Sequence, residues 1–252
     1  MFFQFQNLQA SKGVVHGVTQ KSQQPYKGSL ALHTQEKKDV IVANRKQIQA
    51  HIEAFASRPF DFVMAQQTHS SRVVAIEEEG TLGWESHEDA IVSCDALISN
   101  KKGLILGILT ADCVPILLYD RRHHAIGAVH AGWRGSAEEI VLKTVQAMQE
   151  RYGSVAKEIV AGVAPSIGKC CYEVDEVVAK HFFSTPHAME RVGEKYWLDL
   201  PHINKHQLLK AGLRERHIEL SQRCTSCDVE HFFSYRKEQG CSGRFMSFIG
   251  LT

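Results

Sequence analysis

The chain has 252 residues, 44% of them hydrophobic, 23% charged and 8% aromatic, with 29 Lys and Arg against 28 Asp and Glu. These proportions exclude a disordered chain, a coiled coil and a collagen, and they suit a globule with a core large enough to need no disulfide staples. A net charge of +1, with no Lys/Arg run above two residues, argues against a nucleic-acid partner; the longest apolar stretch, Gly103 to Ala111, is about half a membrane span and argues against a membrane partner.

No repeat, low-complexity tract or linker divides the sequence, so residues 1–252 read as a single domain. The opening MFFQFQNLQ alternates apolar and polar residues and has no basic n-region, so it predicts a first strand and not a signal peptide. Seven cysteines in a chain without an export signal predict reduced thiols and a cytoplasmic location. Residues 39–55 place Ile41, Ile48, Ile52 and Phe55 at helical spacing. Residues 60–65 alternate as a strand that runs into QQTHS.

Two continuous apolar runs follow, 103–109 and 116–119, each expected to be covered on both faces, with TADCVP between them. A further strand at 125–130 ends in the turn AGWRG. After it, Ser136 and Glu139 read as a capping box for a helix reaching about Tyr152. Another strand (159–164), helices near 175–183 and 203–213, and a strand-rich tail complete the reading. The fold class is α/β (α+β), a mixed-sheet architecture without the strict βαβ rhythm of a doubly wound fold. There is no GxGxxG after a strand and no GxxxxGK[ST], so nucleotide binding through those loops is unsupported.

Three chemistry-bearing side chains share one address, the end of a predicted strand at a turn: His69, Cys113 and His130. Two imidazoles and a thiolate suit zinc, and three protein ligands leave a fourth position for water or substrate. Simple packing of each residue is the competing reading. Asp112, beside Cys113, suits orientation of a ligand imidazole, proton carriage or the capping of its turn. Gly132 and Gly135 flank Arg134 ahead of a helix, a turn suited to a phosphate or ribose oxygen or to no ligand at all. A rival metal pattern stands in the tail, where Cys224, Cys227, His231 and Cys241 form C-x2-C-x3-H-x9-C, suited to a closed structural zinc or to unliganded thiols. Cys170 and Cys171 read as a buried pair.

At these residues the chain resembles the bacterial laccase-domain proteins, also described as multicopper polyphenol oxidases, purine nucleoside phosphorylases or peptidoglycan editing factors. The matching stretches are QQTHS (66–70), CDALIS (94–99), LTADCVPILLYD (109–120), AVHAGWRG (128–135), GVAPSIGKCCYEV (162–174) and residues 224–251. The resemblance implies one zinc on His69, Cys113 and His130, with the tail cysteines outside that site. It also implies a layered α/β/β/α sandwich grouped with cysteine-hydrolase-like folds. The implied reactions are phosphorolysis of adenosine, inosine and methylthioadenosine, and deamination of adenosine. Arg45 and Arg236 are then the phosphate candidates, with Arg134 a further substrate or phosphate candidate and Gln67 as a reader of the purine or ribose edge. A copper-dependent polyphenol oxidase (laccase) and a metal-free Cys113–His130 hydrolase are the alternatives, as is a zinc that only staples the fold. Where the family has SLNLG this chain has SLALH, with Ala31 and His33 at the changed positions.

Overall fold

The computed structural model describes every residue except Met1, Cys241 and Ser242. In chain order it contains α1 (Gln6–Gln9), β1 (Val14–Val18), α2 (Lys38–Ala56), β2 (Asp61–Met64), β3 (Val73–Ala75), β4 (Ala96–Ser99), β5 (Leu104–Thr110), β6 (Val114–Asp120) and β7 (Ala125–Ala131). There follow α3 (Trp133–Ala137), α4 (Ile140–Tyr152), β8 (Ile159–Val163), β9 (Glu173–Val174), α5 (Glu176–Ala179), β10 (Met189–Val192), β11 (Lys195–Leu198), α6 (Leu200–Lys210), β12 (Ile218–Leu220) and β13 (Phe245–Leu251).

Two mixed sheets carry the fold. One has the order β1-β13-β5-β2, the other β12-β8-β6-β7-β4-β3, and β10-β11-β9 form a small third sheet. The two large sheets face each other through Leu104, Leu106 and Ile108 of β5, Leu117 and Tyr119 of β6, and Ile126 and Ala128 of β7. Alternate residues of the same strands face outward. Ile105 and Leu109 pack with Ile52 of α2, while Ile116, Leu118 and Val129 pack with Val141, Val145 and Met148 of α4 and Ile203 of α6. The layers therefore run helix, sheet, sheet, helix, and the continuous apolar runs are strands covered on both faces. β5 and β6 belong to different sheets, so the turn between them carries the chain from one layer to the other.

Three local expectations are corrected by tertiary contacts. The N-terminal segment is not a strand: Phe3 makes a single bridge to Val18, after which the chain coils into α1. The Glu219 carboxylate accepts the free Gln6 and Asn7 N–H groups at 3.1 and 2.9 Å, a cap supplied from the far end of the sequence. The capping box is absent as well. Ser136 lies inside α3, where its hydroxyl accepts from Asn204 at 3.0 Å, and Glu139, at φ 58°, forms the kink between α3 and α4. In the tail only β13 is a strand; the described part of 221–244 is turns and loop. No helix among the described residues is long and apolar enough to cross a membrane.

Candidate metal centre and its pocket

Three segments pass between the large sheets at one end of the sandwich: 65–72 from β2 to β3, 111–113 from β5 to β6, and 221–244 from β12 to β13. His69 stands on the first crossing and Cys113 on the second, and His130 is the penultimate residue of β7, against which they gather. Their ligating atoms all lie within 4.8 Å of one another. Cys113 Sγ is 3.9 Å from His69 Nε2, and the two imidazoles meet edge to face at 4.8 Å. A tetrahedral cation with bonds of about 2.0 Å to nitrogen and 2.3 Å to sulfur spans about 3.5 Å between such donors. Gly132 leaves the room. A Cβ there would stand 3.0 Å from His69 Cδ2 and 3.1 Å from Cys113 Sγ.

The residue that organises these donors is Asp95, immediately before β4 and wholly buried. Its carboxylate accepts the backbone N–H groups of Thr68, His69 and Ser70 at 3.2, 3.0 and 2.7 Å, which holds the turn carrying His69 at φ 60°. The same carboxylate accepts Nδ1–H of His130 at 2.7 Å, leaving Nε2 for a ligand. Burial would raise the Asp95 pKa, but the hydrogen bonds from His130 and Ser70 outweigh it and bring it to about 2. Burial likewise pushes the Cys113 thiol up, and the neighbouring imidazoles more than reverse this, so the sulfur tends to thiolate and His130 tends to imidazolium. A divalent cation can replace the proton that this pair shares.

Asp112 does not orient an imidazole; Asp95 does that. The Asp112 carboxylate accepts from Thr225 Oγ1 at 2.6 Å and from the Arg236 backbone N–H at 2.7 Å, while its carbonyl accepts Ile167 N–H at 2.9 Å. These bonds hold it at φ 90°, a conformation strained by about 1–3 kcal/mol for a residue with a side chain. Asp112 thus ties three loops together at the pocket floor.

Above the donors opens a cavity of about 500 Å³. Trp133, Tyr172 and Tyr235 give it aromatic walls; His33, Arg134, Arg236 and Arg244 give it donors. Arg134 stacks on the Trp133 ring at 4.3 Å. Arg236 lies over Tyr172 at 5.4 Å and donates to the Glu173 carbonyl at 3.0 Å. Burial, aided by Arg244, lowers the His33 pKa to about 4 and keeps its imidazole neutral. A second cleft, about 400 Å³, lies between α2 and the N-terminal segment, remote from these residues.

Of the residues singled out in the sequence, His69, Cys113, His130, Asp112, Arg134 and Arg236 meet at this pocket. Gln67 lines it too, with its amide engaged by the backbone of Leu109, at 2.7 Å to the carbonyl and 2.8 Å from the N–H. Arg45 is not a phosphate ligand. It is buried beneath α2, with its guanidinium on the carbonyls of Leu30, Gly83 and Trp84 at 2.8, 2.6 and 2.7 Å. The tail pattern also dissolves. His231 pairs with Asp228 at 2.5 Å, Cys241 lies outside the described residues, and Cys224 and Cys227 gather instead with Cys170 and Cys171, which are not buried.

Sequence reasoning missed Asp95 and Arg244. A carboxylate directly before the short strand Ala96–Ser99 was the available sign for Asp95; nothing in the loop sequence distinguished Arg244. At His33 the departure from the family's glycine places an imidazole in the pocket wall.

A family model described as multi-copper polyphenol oxidoreductase laccase matches residues 14–252. The chain belongs to that family. Among laccase-family relatives, a Bacillus subtilis protein named purine nucleoside phosphorylase YlmD is 33% identical over 257 residues, covering 98% of this chain and 91% of that one. A protein from an unknown prokaryotic organism, named adenosine deaminase RL5, is 38% identical over 198 residues, covering 76% and 74%. The crystal structure of YlmD from Geobacillus stearothermophilus superimposes with a TM-score of 0.90 at 30% identity, covering 95% of this chain and 92% of that one.

Proposed function

We propose that this laccase-family protein is a cytoplasmic, zinc-dependent purine nucleoside phosphorylase acting on adenosine, inosine and methylthioadenosine, with adenosine deaminase activity. The observation that carries this reading is the convergence of His69, Cys113 and His130 at the floor of a cavity with cationic and aromatic walls, sized for a nucleoside. The names of relatives at 33% and 38% identity point the same way. The donor set fits a divalent metal because Asp95 presents His130 through Nε2 and Gly132 leaves space between the other two donors. When bound, the metal supplies Lewis acidity, able to lower the pKa of a water or to polarise a purine ring atom.

The protein's own part is binding and orientation. Trp133, Tyr172 and Tyr235 offer flat faces to a base. Arg134, Arg236 and Arg244 supply guanidinium forks for phosphate oxygens. In phosphorolysis a phosphate oxygen bonds C1′ while the C1′–N9 electron pair leaves with the base. Holding the anion beneath the sugar removes the entropic cost of bringing the two together.

Incubation with adenosine, with and without phosphate, tests the reading. Free base and ribose 1-phosphate are expected only with phosphate, and inosine in either case. His69→Ala is expected to abolish both activities together with metal binding. Full turnover by metal-free protein would overturn the proposal.

A second reading has its own support. Asp95, His130 and Cys113 form an acid–imidazole–thiol series like that of a cysteine hydrolase, the chemistry a peptidoglycan editing factor could use. Chelator-resistant hydrolysis of a cell-wall peptide, lost on alkylation of Cys113, would favour it. The copper polyphenol oxidase reading predicts strong visible absorption of copper-loaded protein and oxygen uptake with a phenol. Among the described residues, only one group of three or more His, Cys or acidic side chains suited to a metal contains histidine.

A further inference from the structure

We propose that Cys170, Cys171, Cys224 and Cys227 form a second metal site, a closed tetrathiolate that holds one zinc ion and clamps two loops behind the pocket. The four Sγ atoms all lie within 4.8 Å of one another, with Cys171 and Cys227 at 3.4 Å and Cys170 and Cys227 at 3.6 Å. Sulfurs about 2.3 Å from a common tetrahedral cation stand about 3.8 Å apart, so these separations are those of a ligand set. A disulfide requires about 2.05 Å and joins only two sulfurs. All four thiols are free here.

The backbone supports the same assignment. The Gly168 N–H donates to Cys224 Sγ at 3.3 Å, the kind of hydrogen bond that orients and stabilises a metal-bound thiolate. Thr225 N–H donates to the Ser166 carbonyl at 3.0 Å, and Ser166 bridges Cys224, so the two cysteine-bearing loops are already in register without the metal. Four soft donors of one kind select zinc or iron, and four protein ligands leave no position for substrate. Cys170 and Cys227 are exposed, which gives the ion a way in. Binding replaces four thiol protons, released to solvent, by one divalent cation.

The clamp has a local consequence. Thr225, between Cys224 and Cys227, donates to Asp112, and Tyr172, next to Cys171, lines the pocket. A zinc ion here therefore positions the floor and one wall of the cavity without touching its contents.

Metal analysis of the full-length protein, purified under reducing conditions, tests the assignment independently of any activity. Two zinc equivalents are expected per chain. The double variant His69→Ala/Cys113→Ser is expected to keep one, and Cys171→Ser/Cys227→Ser to lose one while the His69 site remains. Cobalt reconstitution of the His69→Ala/Cys113→Ser protein should give the intense visible and near-ultraviolet bands of a tetrahedral tetrathiolate. If the cysteine variant fails to fold, that spectrum and the wild-type stoichiometry still decide. A single equivalent lost on removing His69 and Cys113, or an intact mass showing a disulfide within the cluster, overturns the proposal. Iron in the second equivalent would uphold the site and overturn zinc as its occupant.

Discussion

Asp95 has no part in bond making, yet it accepts from three consecutive backbone N–H groups and from the imidazole of His130. Asp95→Asn keeps the shape and removes the charge that fixes the His130 tautomer. Metal affinity at the His69 site is expected to fall about 10- to 100-fold, as measured by chelator competition, with the fold retained. Gly132 makes a sharper demand. Its φ of −69° suits any residue, so Gly132→Ala introduces no backbone strain, but its Cβ would press on His69 and Cys113. This variant should fold normally and bind the metal weakly or not at all; unchanged stoichiometry would show that the donors close elsewhere.

At the scale of elements, Arg45 shows how a functional residue type can serve packing. It sits in α2 with its guanidinium over the Trp84 ring at 5.0 Å, and burial lowers its pKa to about 9 against the opposing charge of Asp89. Arg45→Ala leaves the carbonyls of Leu30, Gly83 and Trp84 without that partner. A loss of about 3 kcal/mol in unfolding free energy is expected by urea denaturation, because a buried polar group stripped of its partner bears its full desolvation cost. The phosphate dependence of the remaining folded enzyme should not change. The crossing at 111–113 shows the converse. Its three residues are too few to make an independent loop, so the position of Cys113 follows from where β5 and β6 end.

For the whole molecule, the N-terminal segment is tied to the two large sheets by Phe5 and His16, and this tie is sensitive to pH. His16 Nε2 accepts the Phe5 N–H at 2.9 Å, which requires an unprotonated nitrogen, and burial lowers its pKa from 6.5 to about 4. Above pH 6.5 the ring is neutral in both folded and unfolded chains and costs nothing. Between 6.5 and about 4 the unfolded chain gains a proton that the folded one refuses, so stability falls with pH, by about 3 kcal/mol at most. Urea midpoints taken from pH 7 to 4.5 should decline more steeply for the wild type than for His16→Gln. Equal slopes would remove His16 as the cause.

The strands with continuous apolar runs, the amphipathic α2 and the three side chains that converge as candidate metal donors were legible in the sequence, because burial periodicity and ligand chemistry are properties of residue type and spacing. The family-specific stretches around Cys113 and His130 strengthened that reading. Tertiary structure alone decided which sheet each strand joins, since β5 and β6 are equally apolar and equally buried. It also decided the duties of the polar residues. Arg45, Gln67 and Asp112 have side chains suited to substrate, yet Arg45 was claimed by backbone carbonyls, Gln67 by the carbonyl and N–H of Leu109, and Asp112 by the hydroxyl and N–H groups of neighbouring loops. The grouping of Cys170 and Cys171 with Cys224 and Cys227 likewise arises from loops more than fifty residues apart. A side chain's chemistry is local, but its partners are set by which distant backbone groups folding leaves unsatisfied beside it.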